Sequence, residues 1–287
     1  MEKKKNYFGR AVASFLLVLL TMPLGHALMI IMEHTMAPGP LHYSAFAMGL
    51  AGMLLTIFGI FVRGDFRQTL CGLFGGLLFW TGWVEFLFQY YADRFGMQPF
   101  TDPVSGKVTQ PEYLILPASF GFLMMFFMLY TFSTRTGCNF FNWIQKHLLG
   151  SRRDIIVARP MTRHTALVTF MELNLMMWTS YVVLMFCYDT DFLGDTHPVT
   201  IALAITCLVG SMFIFLKQTR IASWGANIRM AIATVLVFWT FVEILGHIGL
   251  LNEIWVAPMQ HVWEMTLIVI IFVALGAYTL WAGLKKR

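Results

Sequence analysis

Long apolar runs separated by short polar connections extend along the whole chain. Eight of them are long enough for a helix to cross a hydrocarbon core, which takes about 20 residues. They cover residues 11–32, 43–62, 69–91, 113–134, 165–187, 198–216, 230–249 and 259–284. Because the runs are continuous and do not alternate every second residue, they predict helices rather than barrel strands. The predicted fold is an all-α integral membrane protein with eight transmembrane helices.

Composition agrees with a bilayer environment and excludes several other classes. The chain is 58% hydrophobic and only 12% charged, whereas soluble domains carry about 25% charged residues. The four cysteines are dispersed and form no CxxC pair, so neither a disulfide framework nor a common zinc motif is predicted. The net charge of +5 does not indicate nucleic-acid binding, since no soluble basic domain accompanies it.

The basic residues predict the orientation of the chain. Of the 20 Lys and Arg residues, all but Arg94 and Lys107 lie in the two termini and in the connections 63–68, 135–163 and 217–229. The positive-inside rule therefore predicts that both termini are cytoplasmic, in a bacterial-type inner membrane.

The longest of these inner connections divides the chain into three parts. They are a four-helix N-terminal half (1–134), an amphipathic cytoplasmic connection (135–163) and a four-helix C-terminal half (164–287). Aromatic residues lie beside basic residues in the connection, and this pattern predicts a helix that lies along the membrane surface.

A polar string occurs near both ends of the chain. Its later copy contains, in order, Gly246-His247, Asn252-Glu253, Ala257-Pro258 and His261, and its earlier copy contains Gly25-His26, Met32-Glu33, Ala37-Pro38 and His42. A third, partial copy is Phe79-Trp80-Thr81 followed by Glu85, which corresponds to Phe238-Trp239-Thr240 followed by Glu243. In this copy Gln89 stands in place of the histidine. We interpret the repetition as repeated helical hairpins.

The later copy predicts a metal site. Glu243 and His247 are four residues apart and share one helix face, and the turn at Ala257-Pro258 returns the chain so that His261 points back towards them. Two imidazoles and one carboxylate leave a coordination position open and suit copper, iron or zinc. The alternative is that these are ordinary interfacial polar residues.

The earlier copy predicts a related second site formed by His26, Glu33 and His42. Met29, Met32 and Met36 lie close to it in the sequence and have the soft thioethers that bind Cu(I), although methionine is also common apolar filler. Glu172 lies well inside the fifth span, so it must face other helices and not lipid.

The same residues carry a resemblance to a known family. The segment from Leu245 to Val262 resembles the last helical hairpin of the C subunit of copper-dependent membrane monooxygenases, the particulate methane and ammonia enzymes. The string Asp189-Thr190-Asp191-Phe192 with His197 is similar to the outer connection of the preceding hairpin. The resemblance implies copper. His247 and His261 match the two histidines of one family site, Glu243 stands where that site has an Asn, and His197 matches one ligand of a second site.

Three functions are consistent with these residues. The first is a membrane subunit of a copper monooxygenase-like complex that binds a metal near the extracytoplasmic face and oxidises a small substrate. The second is a non-catalytic membrane protein for metal binding or assembly. The third is an electron-transfer subunit with quinone, or with haem held between His26 and His247. The sequence contains no soluble redox segment, so we expect any redox partner or extracytoplasmic domain to be another chain, and other membrane or extracytoplasmic subunits to be partners.

Overall fold

The computed structural model describes residues 7–101, 108–109, 115–123, 125–126, 139–150 and 164–285. These residues are almost entirely helical. The long helices are α1 (Phe8–Thr35), α2 (Pro38–Phe61), α3 (Asp65–Phe79), α4 (Phe86–Arg94), α5 (Asn139–Leu149), α6 (Thr165–Tyr188), α7 (Pro198–Gln218), α8 (Trp224–His247) and α9 (Val262–Lys285). A six-residue π-helical segment, Trp80–Glu85, joins α3 to α4. The remaining elements are a short 3₁₀ turn, Leu116–Ser119, and the antiparallel two-residue strands β1 (Phe100–Thr101) and β2 (Val108–Thr109).

Seven spans of the described chain are long and apolar enough to cross a membrane. They are α1, α2, the continuous unit Asp65–Arg94, and α6 to α9. The all-helical fold is therefore confirmed for the part of the chain that the structure describes, and its seven long apolar helices indicate a multi-pass membrane protein. The predicted fourth span, 113–134, lies mostly outside the described residues, so the eighth helix stays a prediction.

Helix α8 forms the centre of the bundle and packs against α1, α3, α6 and α7. It begins six residues before the apolar run that predicted it, and Asn227 and Arg229 in its first turns have polar partners inside the bundle. Asn227 bonds to Gln218 of α7, and Arg229 forms a 2.9 Å ion pair with Asp65 at the start of α3. Buried polar groups need such partners, and here those partners join α3, α7 and α8 at one end of the bundle.

Glycines allow α2 and α3 to pack with their backbones almost in contact. A Cβ atom on Gly52 would lie 2.5 Å from the carbonyl oxygen of Gly75 and 2.5 Å from the amide nitrogen of Phe79. Close approach through small residues is the usual way in which membrane helices associate, since lipid provides no hydrophobic force between them. This contact fixes the position of the π-helical segment that follows α3.

The structure does not confirm that the two polar strings form the same hairpin. In the earlier copy α1 remains helical through His26 and Glu33, and only two residues separate it from α2. In the later copy α8 ends at His247, and residues 248–261 form a connection without a helix. One physical reason is Gly249, whose φ of 78° ends α8. The position equivalent to Gly249 in the earlier copy is Leu28, which favours continued helix.

The predicted environment of Glu172 is confirmed. Its side chain lies in the middle of α6 and is 2% exposed. The predicted inner connection is described only in part, and that part contains α5. Trp143 and His147 of α5 are exposed, and the Lys217 ammonium lies 5.6 Å from the Trp143 ring.

Candidate functional site

A cavity of about 700 Å³ lies at the end of the bundle opposite the Arg229–Asp65 ion pair. Four helical segments, α1, α4, α6 and α8, surround it, and the loops after α4 and α8 complete its wall. Its polar lining comes from the residues His26, Glu33, His34, Glu85, Gln89, Asp93, Gln98, Tyr181, Tyr188, Glu243, His247 and Glu253, and its apolar lining includes Met22, Met29, Met185, Trp239 and Trp255. The cavity therefore collects acidic residues from all three copies of the polar string.

His26 and Glu85 connect two walls of this cavity. Nδ1 of His26 on α1 lies 3.2 Å from Oε1 of Glu85, and both side chains are mostly buried. Glu85 is the last residue of the π-helical segment, and such segments often occur at functional sites because one extra residue in a turn changes the direction of the side chains. The sequence pattern indicated Glu85 as part of a partial repeat but did not predict the π turn or the histidine partner.

Glu243 and Glu253 contribute two carboxylates to another part of the cavity wall. The Trp239 indole N–H donates a 2.6 Å hydrogen bond to Glu243 one helical turn later on α8. Glu253 comes from the loop after α8 and packs on Gly246, where an added Cβ would lie 2.5 Å from the Glu253 carboxyl carbon. A larger residue at position 246 would displace the Glu253 carboxylate from this place. Both carboxylates interact electrostatically with each other and with His26.

Aromatic side chains form the rest of the wall next to these acids. The Tyr188 ring stacks on the His247 imidazole with centroids 3.7 Å apart, and Trp239 packs against Trp255 at 4.9 Å. Tyr188 is 9% exposed, and its hydroxyl has no hydrogen-bond partner among the described residues. A buried hydroxyl without a partner is unfavourable, so this group is of particular interest in a cavity wall.

The structure separates the predicted metal ligands into two sets. His26, Glu33, Glu243 and His247 line the cavity. His42, His197 and His261 are not among the cavity residues.

Each histidine of the second set has a local partner. His42 packs edge-on against Tyr90 with ring centroids 4.5 Å apart. His197 caps the start of α7 by accepting the Val199 amide at 3.2 Å. His261 lies 3.7 Å from Glu264 in the first turn of α9. His261 does not line the cavity that Glu243 and His247 line, and the described residues form no three-ligand group that includes it.

The side chains, as the structure places them, do not fit a three-ligand metal site. In the described part of the chain, no three His, Cys, Asp or Glu side chains are close enough to share one ion. His26 is instead held by Glu85, Glu243 by Trp239, and His247 by the Tyr188 ring. A metal would have to draw these groups away from their present partners. Of the three methionines near His26 in the sequence, Met29 lines the cavity, while Met32 packs with Ala45 and Phe86.

The charge of the cavity is strongly one-sided. Its lining includes the carboxylates of Glu33, Glu85, Asp93, Glu243 and Glu253, and none of the described lining residues is Lys or Arg. Glu33 also forms a side-chain hydrogen bond with Gln89. In surroundings of low dielectric constant, like charges repel strongly and a positive ligand is attracted.

Comparisons with protein-family models, with curated proteins and with solved structures gave no match to this chain. The functional argument therefore rests on the geometry and chemistry of the cavity.

Proposed function

We propose that this multi-pass membrane protein binds a cationic ligand in the acidic cavity. The observation that carries the proposal is the charge of the lining, which has five carboxylates and no Lys or Arg among its described residues. Desolvated carboxylates are costly unless they are neutralised, and a bound cation would neutralise them. Burial would also strengthen the attraction relative to water.

The specific form that the resemblance implies is a membrane subunit of a copper monooxygenase-like complex, in which other subunits supply the redox partner. The resemblance itself matches Glu243, His247 and His261 to one family site. The ligands that we propose from the cavity are His26, Glu243 and His247, since all three line it. Copper would provide redox chemistry, and iron or zinc would suit a similar donor set. The non-catalytic alternative uses the same residues for metal binding or assembly. We also propose that the chain has eight spans and that both termini are cytoplasmic. This orientation would place the cavity on the extracytoplasmic side.

A second candidate is an electron-transfer subunit with quinone or haem. The observation in its favour is that His26 and His247 come from different helices and line one cavity, as haem ligation across a bundle requires. An optical spectrum of protein purified in native lipid separates haem from copper, because only haem gives an intense Soret band.

Metal content after reconstitution with copper, iron or zinc tests the metal form. If the metal form is correct, the wild type binds a single ion, and its affinity falls by a factor of about ten or more in His26→Ala and His247→Ala, because each variant loses an imidazole from the cavity. His147→Ala, whose side chain is exposed on α5, is the control and should bind normally.

His261→Ala distinguishes the cavity from the site that the sequence predicted. We expect it to retain the metal, since His261 is not a lining residue. If His261→Ala loses the metal and His26→Ala retains it, the metal does not bind in the cavity. That result would instead support the ligands Glu243, His247 and His261. Absence of metal from every sample, the wild type included, would rule out the metal form.

A further inference from the structure

The cavity is larger than a bare ion needs. Its volume of about 700 Å³ falls within the range of about 300–1,000 Å³ that is usual for small organic ligands. The described side chains also form no three-ligand metal group. Size and donor arrangement together point to a molecule rather than to a single atom.

The acidic side chains next to the aromatic wall favour a positive group. Glu85, Glu243 and Glu253 all interact electrostatically with His26, and none of the described lining residues is Lys or Arg. His26 can supply at most one positive charge, whereas three acidic side chains interact with it. An ammonium group would balance part of the excess and would form charge-assisted hydrogen bonds with the carboxylates.

The aromatic wall suits the rest of such a molecule. Trp239 and Trp255 pack against each other beside Glu243, and Tyr181 and Tyr188 come from α6. Aromatic faces attract cations, most strongly where the site is desolvated, and this is the usual recognition of organic ammonium ions. The same faces also bury apolar ligand surface.

The Tyr188 hydroxyl is an independent indication of a ligand. It is buried, it belongs to a cavity-lining residue, and it has no hydrogen-bond partner among the described residues. It lies close enough to Glu243 and Glu253 to interact with both electrostatically. A ligand with an N–H group beside these carboxylates would supply the missing partner, because a phenol oxygen accepts hydrogen bonds.

From these observations we infer that the cavity binds a protonated organic amine with an apolar body. Its ammonium group lies between Glu243 and Glu253, within reach of the Tyr188 hydroxyl, and its apolar part packs on Trp239 and Trp255. This assignment rests on the proposed binding of a cation in the same cavity, and it names the chemical class of that cation.

Calorimetric titration in detergent tests the inference with 2-phenylethylammonium and its neutral counterpart 2-phenylethanol. The two molecules have nearly the same shape, so partition into detergent or lipid affects both. We expect saturable one-to-one binding of the ammonium ion and binding of the alcohol that is weaker by a factor of about ten or more, because the alcohol lacks the charge-assisted contacts.

Tyr188→Phe is the decisive variant. Because the hydroxyl has no partner among the described residues, its removal should leave the unfolding temperature unchanged or slightly raised, while the affinity for the ammonium ion falls about tenfold. Tyr91→Phe, on the exposed side of α4, is the matched control and should change neither quantity.

The outcomes separate this inference from the proposed function. Equal affinity for amine and alcohol, or unchanged amine affinity in Tyr188→Phe, would overturn the organic-amine assignment. If the protein binds a metal through His26 but binds no amine, the organic-amine assignment is wrong and the proposed function stays intact. If neither metal nor amine binds, both are wrong.

Discussion

Replacing Glu243 and Glu253 together by glutamine is expected to weaken cation binding by a factor of about one hundred or more. Each carboxylate is worth about 1.5–3 kcal/mol as a partner of a charged group, and the two interact with each other in the cavity. Glutamine keeps the size of each side chain, and its amide carbonyl can still accept the Trp239 hydrogen bond that Glu243 accepts now. The fold should therefore survive, and removal of like-charge repulsion should raise the unfolding temperature.

The control for this pair is Asp191→Asn with Glu264→Gln. Both residues are exposed, and neither lines the cavity. The double control changes the net charge by the same amount and should bind cations as the wild type does. An equal loss of affinity in both double variants would mean that the effect comes from long-range charge and not from the cavity.

Replacing Gly52 by valine is expected to prevent stable folding. Even the first atom of the new side chain would lie 2.5 Å from backbone atoms of Gly75 and Phe79, and backbone cannot move aside as a flexible side chain can. Overpacking in a core typically costs about 1–3 kcal/mol, and we expect more here because α2 and α3 must separate along their length. The separation would also displace the π-helical segment and with it Glu85.

Size-exclusion chromatography and thermal unfolding in detergent measure this effect. We expect Gly52→Val to aggregate or to lose most of its folded yield. Gly276→Val is the matched control, since nothing lies within 4 Å of the corresponding Cβ position on α9. Normal stability of Gly52→Val would show that α2 and α3 do not pack as closely as described.

Hydropathy was sufficient to predict the seven observed spans, because a helix that crosses lipid must be apolar over its whole length. Their ends were less predictable. The start of α8 depends on the partners of Asn227 and Arg229, which lie on other helices and leave no local signal in the sequence. The π turn at Trp80–Glu85 was likewise unpredicted, although the repeated Phe-Trp-Thr string indicated that this stretch was related to α8.

The polar strings predicted about half of the candidate site. His26, Glu33, Glu243 and His247 were found because polar residues recur in the same order at both ends of the chain, and all four line the cavity. His42 and His261 were expected there on the assumption of tight hairpins, but His42 packs on Tyr90, and His261 lies near Glu264, three residues later in the chain, and does not line the cavity. Tyr188 was missed because a tyrosine in an apolar helix is common, and only the packed structure reveals that its hydroxyl lacks a partner among the described residues.

The most direct test of the central claim is to locate a bound cation by anomalous diffraction. Crystals grown from lipid would be soaked in one experiment with copper and in another with 2-(4-bromophenyl)ethylammonium, and the copper or bromine signal would be mapped. The account predicts a peak for at least one of the two cations inside the cavity, near Glu243, Glu253 and Tyr188. Peaks only at His261 and Glu264, only on lipid-facing helices, or at no site in either crystal would contradict it.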